Sequence, residues 1–296
     1  MKKQYISKAI RNPKNAFYVV KVNLDLSAGK ILYGNTAGLR HNILGSLTKL
    51  KTKQQKQKLL SSDAISYLNE FGYVKLDNLY DQNMIQKFIE SYLKLIEDDR
   101  YSTIRTEYKG KVYSRYVNMI YKQIPEIKNF LTDKLIRIIK DHYGGKFQVH
   151  HVLAWRNYHV PEELTKEKEM FASHWHCDGR DTTRITLFVN LCDVSENTGP
   201  LHVQSINRTK QLVKMGFKGR RDYGLPIEVV EDPKHVVKLV GPPGTAVLCN
   251  PQLCLHRADI PAKGQIRDII EFRFRPSNKP LDENWNNTIE EENISK

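Results

Sequence analysis

A short motif near the middle of the chain, HWHCDG (174–179), carries side chains that bind metal ions. Alternate residues of an extended segment share one face, so His176 and Asp178 are expected to point to the same side. A third candidate ligand, His256, lies about 80 residues later in LCLHRA, at the end of another β-like segment. Two histidines and one carboxylate form the facial set that binds iron(II) and leaves other positions on the metal open. The pattern predicts a metal site made of His176, Asp178 and His256.

An arginine follows the distal histidine at a spacing that suggests a second role. Arg267 lies 11 residues after His256, inside the β-like segment QIRDIIEFRF. A guanidinium group can bind a carboxylate through two parallel hydrogen bonds, as the end of 2-oxoglutarate far from a metal would require. Arg273 and Arg275 are competitors, but both lie farther from His256. Arg267 is therefore the predicted cosubstrate-binding residue.

Simpler interpretations of these residues stay open. A lone His-x-Asp pair is often a surface or strand pair, and a motif match carries that risk. Arg267 taken alone could be an ordinary surface arginine, and a cupin that holds another metal without 2-oxoglutarate would use similar ligands. His174 shares a face with His176 and is expected to pack nearby rather than to bind the metal.

Three further residues are candidates for lining a cosubstrate pocket. Thr186 and Phe188 share one face of the apolar segment RITLFVNL, and Asn157 precedes the metal motif in the β-like segment FQVHHVLAWRNY. Packing in the core is the simpler role for Thr186 and Phe188, because polar and aromatic side chains of this kind suit a half-buried strand.

The elements that must position these residues divide into a helical block and a β-rich block. Ser62 or Asp63 can cap a helix through Phe71, which Gly72 ends before the short strand YVKL (73–76). Asp81 caps a longer helix with apolar residues at helical spacing, and a third helix is predicted over 125–142. From about residue 146 short β-rich segments follow one another between Gly, Pro, Asn and Asp. This order predicts an α+β chain with a sandwich or barrel.

Several of these segments resemble one enzyme family. From about residue 61 to 275 the chain is similar to the phytanoyl-CoA dioxygenase family of Fe(II)/2-oxoglutarate oxygenases. The similarity rests on FGYVKLDNLYDQNMI, HWHCDG, ENTGPLHV and GPPGTAVLCNPQLCLHRA in this order, with Arg267 where the family has its oxoglutarate-binding arginine. Two departures stand out: QSINRT (204–209) replaces a Pro-Gly-Ser-His-like stretch, and Ala258 replaces a small hydroxyl residue.

The resemblance implies both a fold and a chemistry. The fold would be a double-stranded β-helix, a jelly-roll or cupin-like core, with helices packed on one outer face. The cofactors would be Fe(II), 2-oxoglutarate as cosubstrate, and O2. The expected reaction hydroxylates a small-molecule, glycan or lipid-linked substrate and releases succinate and CO2. The departures remove no predicted metal ligand and leave Arg267 in place, so an active enzyme is expected.

The positive charge is concentrated at the start of the chain. Residues 1–60 hold 13 Lys and Arg against one acidic residue, which is +12 of the net +14. We therefore divide the chain into a basic N-terminal extension, 1–60, and an oxygenase domain, 61–296. A basic extension is suited to an anionic partner such as nucleic acid or a membrane surface, although a solvated surface without a partner is as common. The alternative function is a binding module of this kind on an oxygenase-derived scaffold.

The bulk properties point to a cytoplasmic protein. No apolar run reaches 18 residues, and the basic start lacks the apolar region of a secretory signal. The four cysteines form no C-x-x-C pair, so a reducing compartment is expected.

One long charged segment is the predicted substrate lid. Residues 206–236 read as irregular, and substrate-facing residues usually lie on loops. Its basic side chains would favour an anionic substrate: Lys210, Lys214, Lys218, Arg220 and Arg221.

A truncation tests the proposed domain boundary. A chain starting at residue 61 should keep Fe(II) and 2-oxoglutarate binding, because the predicted site residues all lie beyond it. Substrate capture should weaken at low salt only, since screening shortens to about 8 Å at physiological ionic strength. Solubility, metal content and substrate binding against salt are the measurements. The segment AFYVVKVNLDL (16–26) reads as a strand, and an insoluble or metal-free product would instead make that strand part of the fold.

Overall fold

The computed structural model describes residues 63–178, 183–220, 222–277, 279–282 and 285. The basic extension, its predicted strand over 16–26 and the truncation boundary at residue 61 lie outside these ranges. Helices in the described part are α1 (Asp63–Phe71), α2 (Gln82–Ile96), α3 (Ile120–Gln123), α4 (Asp133–Tyr143), α5 (Glu162–Glu167), α6 (Ile206–Met215) and α7 (Ile227–Val230), with 3₁₀ helices at Pro125–Phe130 and Glu196–Thr198. None of these helices is long and apolar enough to cross a membrane.

The strands form two antiparallel sheets. A seven-stranded sheet has the order β1-β8-β5-β10-β4-β3-β2, and a three-stranded sheet has the order β7-β6-β9. The predicted α+β class is confirmed, while the double-stranded β-helix topology stays a prediction. The strands are β1 (Tyr73–Leu76), β2 (Ser102–Tyr108), β3 (Lys111–Val117), β4 (Phe147–Tyr158), β5 (Ile185–Asn190), β6 (Leu201–Val203), β7 (Val237–Lys238), β8 (Ala246–Cys249), β9 (His256–Ala258) and β10 (Ile266–Pro276).

The two faces of the large sheet have different environments. On central strand β10, Ile270, Phe272 and Phe274 are buried in the main apolar core together with residues of α1, α2 and α4. The helices therefore cover one face of this sheet. Alternate residues of a strand point to opposite faces, so Arg267 and Glu271 lie on the other face. A smaller apolar cluster that includes residues of β1, β6 and β8 joins the two sheets on that side.

The first two helices form where their sequence predicts them. The side chain of Asp81 caps α2 by accepting a hydrogen bond from the Met84 backbone N–H at 3.0 Å. Gly72 ends α1 with a φ of +83°, and a Cβ there would come within 2.5 Å of Cys254 Sγ. Only glycine fits this position, because it needs a left-handed backbone and direct contact with the chain before β9.

A buried ion pair within the large sheet also binds a side chain of α2. Arg156 of β4 donates to both carboxylate oxygens of Asp268 on β10, at 2.7 and 2.6 Å. The Tyr92 hydroxyl of α2 donates to the same carboxylate at 3.0 Å. Burial raises the pKa of Tyr92 well above its usual value, which keeps it a hydrogen-bond donor. Asp268 therefore has partners on both sides, as a buried charge requires.

The helix predicted over 125–142 is wrong in its first half. Residues Pro125–Phe130 form a 3₁₀ helix, and α4 begins only at Asp133. Thr132 separates the two with extended backbone, and its hydroxyl accepts from the Leu135 N–H at 3.2 Å. A side-chain hydroxyl that accepts from this N–H makes Thr132 an N-cap, which the apolar spacing could not reveal.

Replacing Thr132 tests this break by the sign of the effect. Thr132→Ala should destabilise the fold by about 1 kcal/mol, because the cap is lost. In a continuous helix the same change would stabilise slightly, since alanine has the higher helix propensity. Thr132→Ser is the matched control because serine keeps the capping hydroxyl. Denaturant unfolding of the three proteins gives the free energies, and a more stable alanine variant would contradict the cap.

Candidate metal centre

Backbone hydrogen bonds bring two of the predicted ligands together. The His176 N–H donates to the His256 carbonyl at 3.0 Å, and the His256 N–H donates to the His176 carbonyl at 2.9 Å. The extended segment expected at HWHCDG therefore forms a single bridge at His176 and not a full strand. His256 begins β9 rather than ending a segment, which corrects its predicted place. The Asp178 N–H donates to the Pro251 carbonyl at 2.8 Å and continues the extended path.

The three predicted ligand side chains converge. Asp178 Oδ1 lies 3.7 Å from His176 Nε2 and 3.9 Å from His256 Nε2. One ligand atom from each residue lies within 4.8 Å of the others, in the sole such cluster found among the described residues. Two imidazole nitrogens and one carboxylate oxygen at these separations can bind one divalent metal ion from one side.

A hydrogen bond at the Nδ1 atom of each histidine ring, on the side away from the centre, fixes its tautomer. His176 Nδ1 lies 2.8 Å from the His174 carbonyl, and His256 Nδ1 lies 3.0 Å from the Cys254 carbonyl. A carbonyl oxygen can only accept, so each Nδ1 carries a proton, and in the neutral ring Nε2 is the nitrogen that presents a lone pair to the centre. A hydrogen bond of this kind orients a metal-binding histidine and fixes its tautomer. The two rings therefore fit the role of ligands.

Burial also favours the ligand state of His176. Its pKa lies well below the usual value, first because burial penalises the charged ring and then because His256 is close. A neutral imidazole is the form that binds a metal. Both histidine side chains are about 9% exposed, whereas the Asp178 side chain is 30% exposed. Access to the centre is therefore from the aspartate side.

Arg267 is fully buried and only partly satisfied. Its Nη1 donates to the Gly199 carbonyl at 2.6 Å, while its Nε is buried without a hydrogen-bond partner. Among the described residues it forms no ion pair, and burial lowers its pKa to about 10. A buried guanidinium with an unpaired donor has the chemistry to bind a carboxylate. By contrast, the competitor Arg273 forms an ion pair with Glu271.

The turn before β6 is shaped to reach Arg267. Gly199 has a φ of +75°, and a Cβ there would lie 2.7 Å from the Asp259 carbonyl oxygen. Asp259 N–H in turn donates to the Pro200 carbonyl at 3.0 Å. Glycine is required here because no side chain fits between the two segments, and the close approach directs the Gly199 carbonyl to the guanidinium.

The other pocket candidates lie on the same face of the large sheet. Asn157 is the register partner of Arg267, and its Oδ1 accepts from Ser114 Oγ at 2.9 Å. Thr186 is buried, and its hydroxyl has no hydrogen-bond partner in the described part of the chain. Phe188 is half-buried and packs against the apolar cluster between the sheets. Their contact with a cosubstrate stays a prediction.

His174 lies beside the centre but outside the ligand set. Its Nδ1 lies 3.1 Å from the Arg220 carbonyl and 4.0 Å from a Glu169 carboxylate oxygen. Its backbone carbonyl, not its ring, contacts His176. The expected nearby packing of His174 agrees with this position.

The predicted lid is more ordered than its sequence suggests. Helix α6 (Ile206–Met215) begins at the Ser205 cap and ends at Gly216, and helix α7 (Ile227–Val230) follows, so the expectation of an irregular segment is wrong for these two stretches. Lys210 and Lys214 are exposed on it, and Lys218 pairs with Asp222. Arg220 pairs with Glu169 at 2.9 Å, and its charge contributes to the low pKa of His176. Arg221 lies outside the described residues.

Sequence reasoning missed a buried arginine next to the centre. Arg184 precedes β5, and its Nη2 lies 4.0 Å from Asp178 Oδ2. It contacts His150, to which the sequence assigned no role. The available signal was a charged residue at the head of the apolar segment RITLFVNL, where burial would demand partners.

A cavity of about 530 Å³ lies behind the metal ligands, and the sequence did not predict it. His202 and Arg257 pair across β6 and β9 and line this cavity, whereas Val203 and His256 are the next pair along and point to the opposite face. Charged side chains also line it, and Arg257 Nη1 donates to Asp259 Oδ1 at 3.0 Å. The cavity is therefore separate from the metal centre.

The fold is similar to that of solved iron- and 2-oxoglutarate-dependent enzymes. The α-ketoglutarate-dependent epimerase SnoN from nogalamycin biosynthesis aligns with a TM-score of 0.54 and 13% identity, over 72% of this chain and 81% of its own. EctD from S. alaskensis, solved with 2-oxoglutarate and 5-hydroxyectoine, gives 0.53 and 16%, over 76% and 82%. HygX from Streptomyces hygroscopicus, solved with nickel, 2-oxoglutarate and hygromycin B, gives 0.51 and 14%, over 75% and 89%.

The structural alignments show a shared fold, and identities of 13–16% limit the conclusion to the fold. No family model matches the chain, and no curated protein is significantly similar in sequence. The phytanoyl-CoA dioxygenase resemblance therefore stays a prediction. The structural neighbours include enzymes solved with Fe and 2-oxoglutarate, two of the three groups expected from the sequence, and the described residues contain a His-Asp-His cluster that could hold a metal ion.

Alanine substitutions test the ligand set. His176→Ala, Asp178→Ala and His256→Ala should each abolish iron binding, because a facial site loses one of three protein ligands. His174→Ala is the control, since it keeps the backbone carbonyl that contacts His176 Nδ1 and should keep the iron. Iron content after anaerobic reconstitution is the measurement. Loss of iron in His174→Ala but not in His176→Ala would show that the ligands are misassigned.

Proposed function

We propose that this chain is an Fe(II)/2-oxoglutarate-dependent dioxygenase of the phytanoyl-CoA dioxygenase-like kind, with a double-stranded β-helix core. The observation that carries the proposal is the convergence of His176 Nε2, His256 Nε2 and Asp178 Oδ1, each oriented by its own surroundings. The buried Arg267, with an unpaired Nε, supports the assignment of the cosubstrate. Three metal ligands and a buried guanidinium with an unpaired Nε are the groups that a bidentate keto acid needs.

Each residue has a physical task in this proposal. His176, Asp178 and His256 hold the metal from one side and leave its other positions open. Arg267 binds the carboxylate of 2-oxoglutarate that lies away from the metal, and burial strengthens that contact. When bound, Fe(II) and 2-oxoglutarate supply the oxidising chemistry, in which O2 is consumed and succinate and CO2 are released. The buried surroundings of the two histidines exclude water.

The proposed outcome is hydroxylation of a small-molecule, glycan or lipid-linked substrate. The structural neighbours are described with varied small molecules, among them nogalamycin RO and hygromycin B. Arg220 supports an anionic substrate, because it is a lid cation whose charge contributes to the low pKa of His176, and its side chain is 39% exposed. Glu169, which pairs with Arg220, would then have to share the Arg220 guanidinium with the substrate.

The basic extension, residues 1–60, is proposed to recruit an anionic partner to this enzyme. Its charge of +12 favours nucleic acid or a membrane surface, and binding would weaken as salt rises. In the alternative function, this binding would be the whole activity and the metal centre would be idle. Turnover of 2-oxoglutarate to succinate by the full chain distinguishes the two.

Substitution of Arg267 tests the cosubstrate assignment. Arg267→Ala should weaken 2-oxoglutarate binding by roughly one to two orders of magnitude, since a buried charge-assisted contact contributes about 2–3 kcal/mol. Iron binding should be unchanged. Anaerobic titration of 2-oxoglutarate at saturating Fe(II), followed by the visible charge-transfer band, gives the affinity. Arg273→Ala is the matched control. If the two variants exchanged these results, Arg273 would be the binding residue.

A further inference from the structure

The two oxygens of the Asp178 carboxylate have different neighbours. Oδ1 faces the Nε2 atoms of His176 and His256, at 3.7 and 3.9 Å. Oδ2 faces the guanidinium of Arg184, whose Nη2 lies 4.0 Å away. One oxygen is therefore directed at the metal centre and the other at a buried cation. We propose that Arg184 is a positioning residue that keeps Asp178 a one-oxygen ligand of the metal, an inference that rests on the proposed function.

Arg184 is itself held in place by His150 and Gln252, which together form what is called the clamp below. Its side chain is only 6% exposed, and its Nη1 donates to His150 Nε2 at 3.1 Å. The Gln252 amide, in the orientation that satisfies both of its ends, accepts from Arg184 Nη2 and Nε at 3.1 and 3.2 Å. The same amide donates to the Arg184 carbonyl at 2.8 Å and to Asn250 Oδ1 at 3.1 Å. A planar guanidinium with this many fixed contacts cannot turn away from Asp178.

The partners in the clamp are electrically neutral. Burial, followed by the charge of Arg184, lowers the pKa of His150 to about 3, so its ring stays uncharged and its Nε2 can accept. Gln252 is a neutral amide. Neither of these two partners adds a negative charge, and Asp178 Oδ2 lies 4.0 Å from Arg184 Nη2. Attraction between opposite charges at this distance is strengthened by burial.

The separation of 4.0 Å defines how Arg184 acts. This distance exceeds the range of a hydrogen bond, so Arg184 and Asp178 form an ion pair without a direct hydrogen bond. An ion pair of this kind favours the rotamer in which Oδ2 faces the guanidinium and Oδ1 faces the histidines. A carboxylate held by one oxygen occupies one metal position, whereas a two-oxygen ligand would take a position that the bidentate cosubstrate needs.

The clamp also explains why these residues lie where they do. Arg184 stands at the head of β5, His150 lies in β4, and Gln252 lies in the turn before β9. The turn that holds Gln252 also supplies the Pro251 carbonyl, which accepts from the Asp178 N–H at 2.8 Å. The same turn therefore positions both parts of Asp178. Pro251 holds its backbone directly, and Gln252 acts on its side chain through Arg184.

The test measures the binding of Mn(II) alone to the full chain, without turnover. Arg184→Met, which keeps the length and removes the charge, should weaken Mn(II) affinity about 10- to 100-fold, the range typical of partners that orient metal ligands. Arg184→Lys should recover part of it because it restores the charge without the fork. Arg273→Met is the matched control, since it removes another arginine of the large sheet and should leave Mn(II) affinity unchanged.

A second variant keeps the test decisive if Arg184→Met fails to fold. Gln252→Leu removes all four hydrogen bonds of the Gln252 amide, two of them from the Arg184 guanidinium, while Arg184 remains, and Mn(II) affinity should fall several-fold. Wild-type affinity in Gln252→Leu, or in a folded Arg184→Met, would overturn the role of Arg184. Failure of the unmodified chain to bind Fe(II) with 2-oxoglutarate would instead overturn the proposed function, so the two failures are distinguishable.

Discussion

The reciprocal backbone hydrogen bonds between His176 and His256 are the constraint on which the site depends. They join residues about 80 positions apart and set the two imidazoles on one side of the small sheet. The carbonyls that orient the rings, those of His174 and Cys254, lie two residues before each ligand on the same extended paths. One pair of backbone contacts therefore fixes the position and the tautomer of both histidines.

A second constraint links this site to the large sheet. Helices bury one face of that sheet in an apolar core, and the opposite face carries polar groups such as Arg267 and Glu271. Burying such groups costs free energy unless they are paired. Glu271 is paired with Arg273, whereas Arg267 keeps an unpaired donor. A fold that tolerates this cost at Arg267 follows the pattern of functional sites, where local stability is given up for binding.

Local rules predicted many elements but not their interruptions. The start and end of α1, the Asp81 cap of α2 and the β-rich block after residue 146 follow from capping residues, glycines and apolar period. The same rules predicted one continuous helix across Thr132, because the apolar residues on both sides of it keep a helical spacing. They also left the hairpin of β2 and β3 unassigned, although Lys109 and Gly110 form a two-residue turn with positive φ at both positions. The turn signal was present in the sequence, but it covers only these two residues.

The sequence alone determined the chemistry that is available: two histidines and a carboxylate at defined spacing, an arginine 11 residues after the last of them, and a change from helical to β period. Only the tertiary structure decided which groups meet. That Arg267 is buried with an unpaired Nε, that Arg273 is paired instead, and that Arg184 faces Asp178 all depend on contacts between distant segments. Spacing along a strand tells which face a side chain takes. The register between strands and the path of the turns decide what lies across from it.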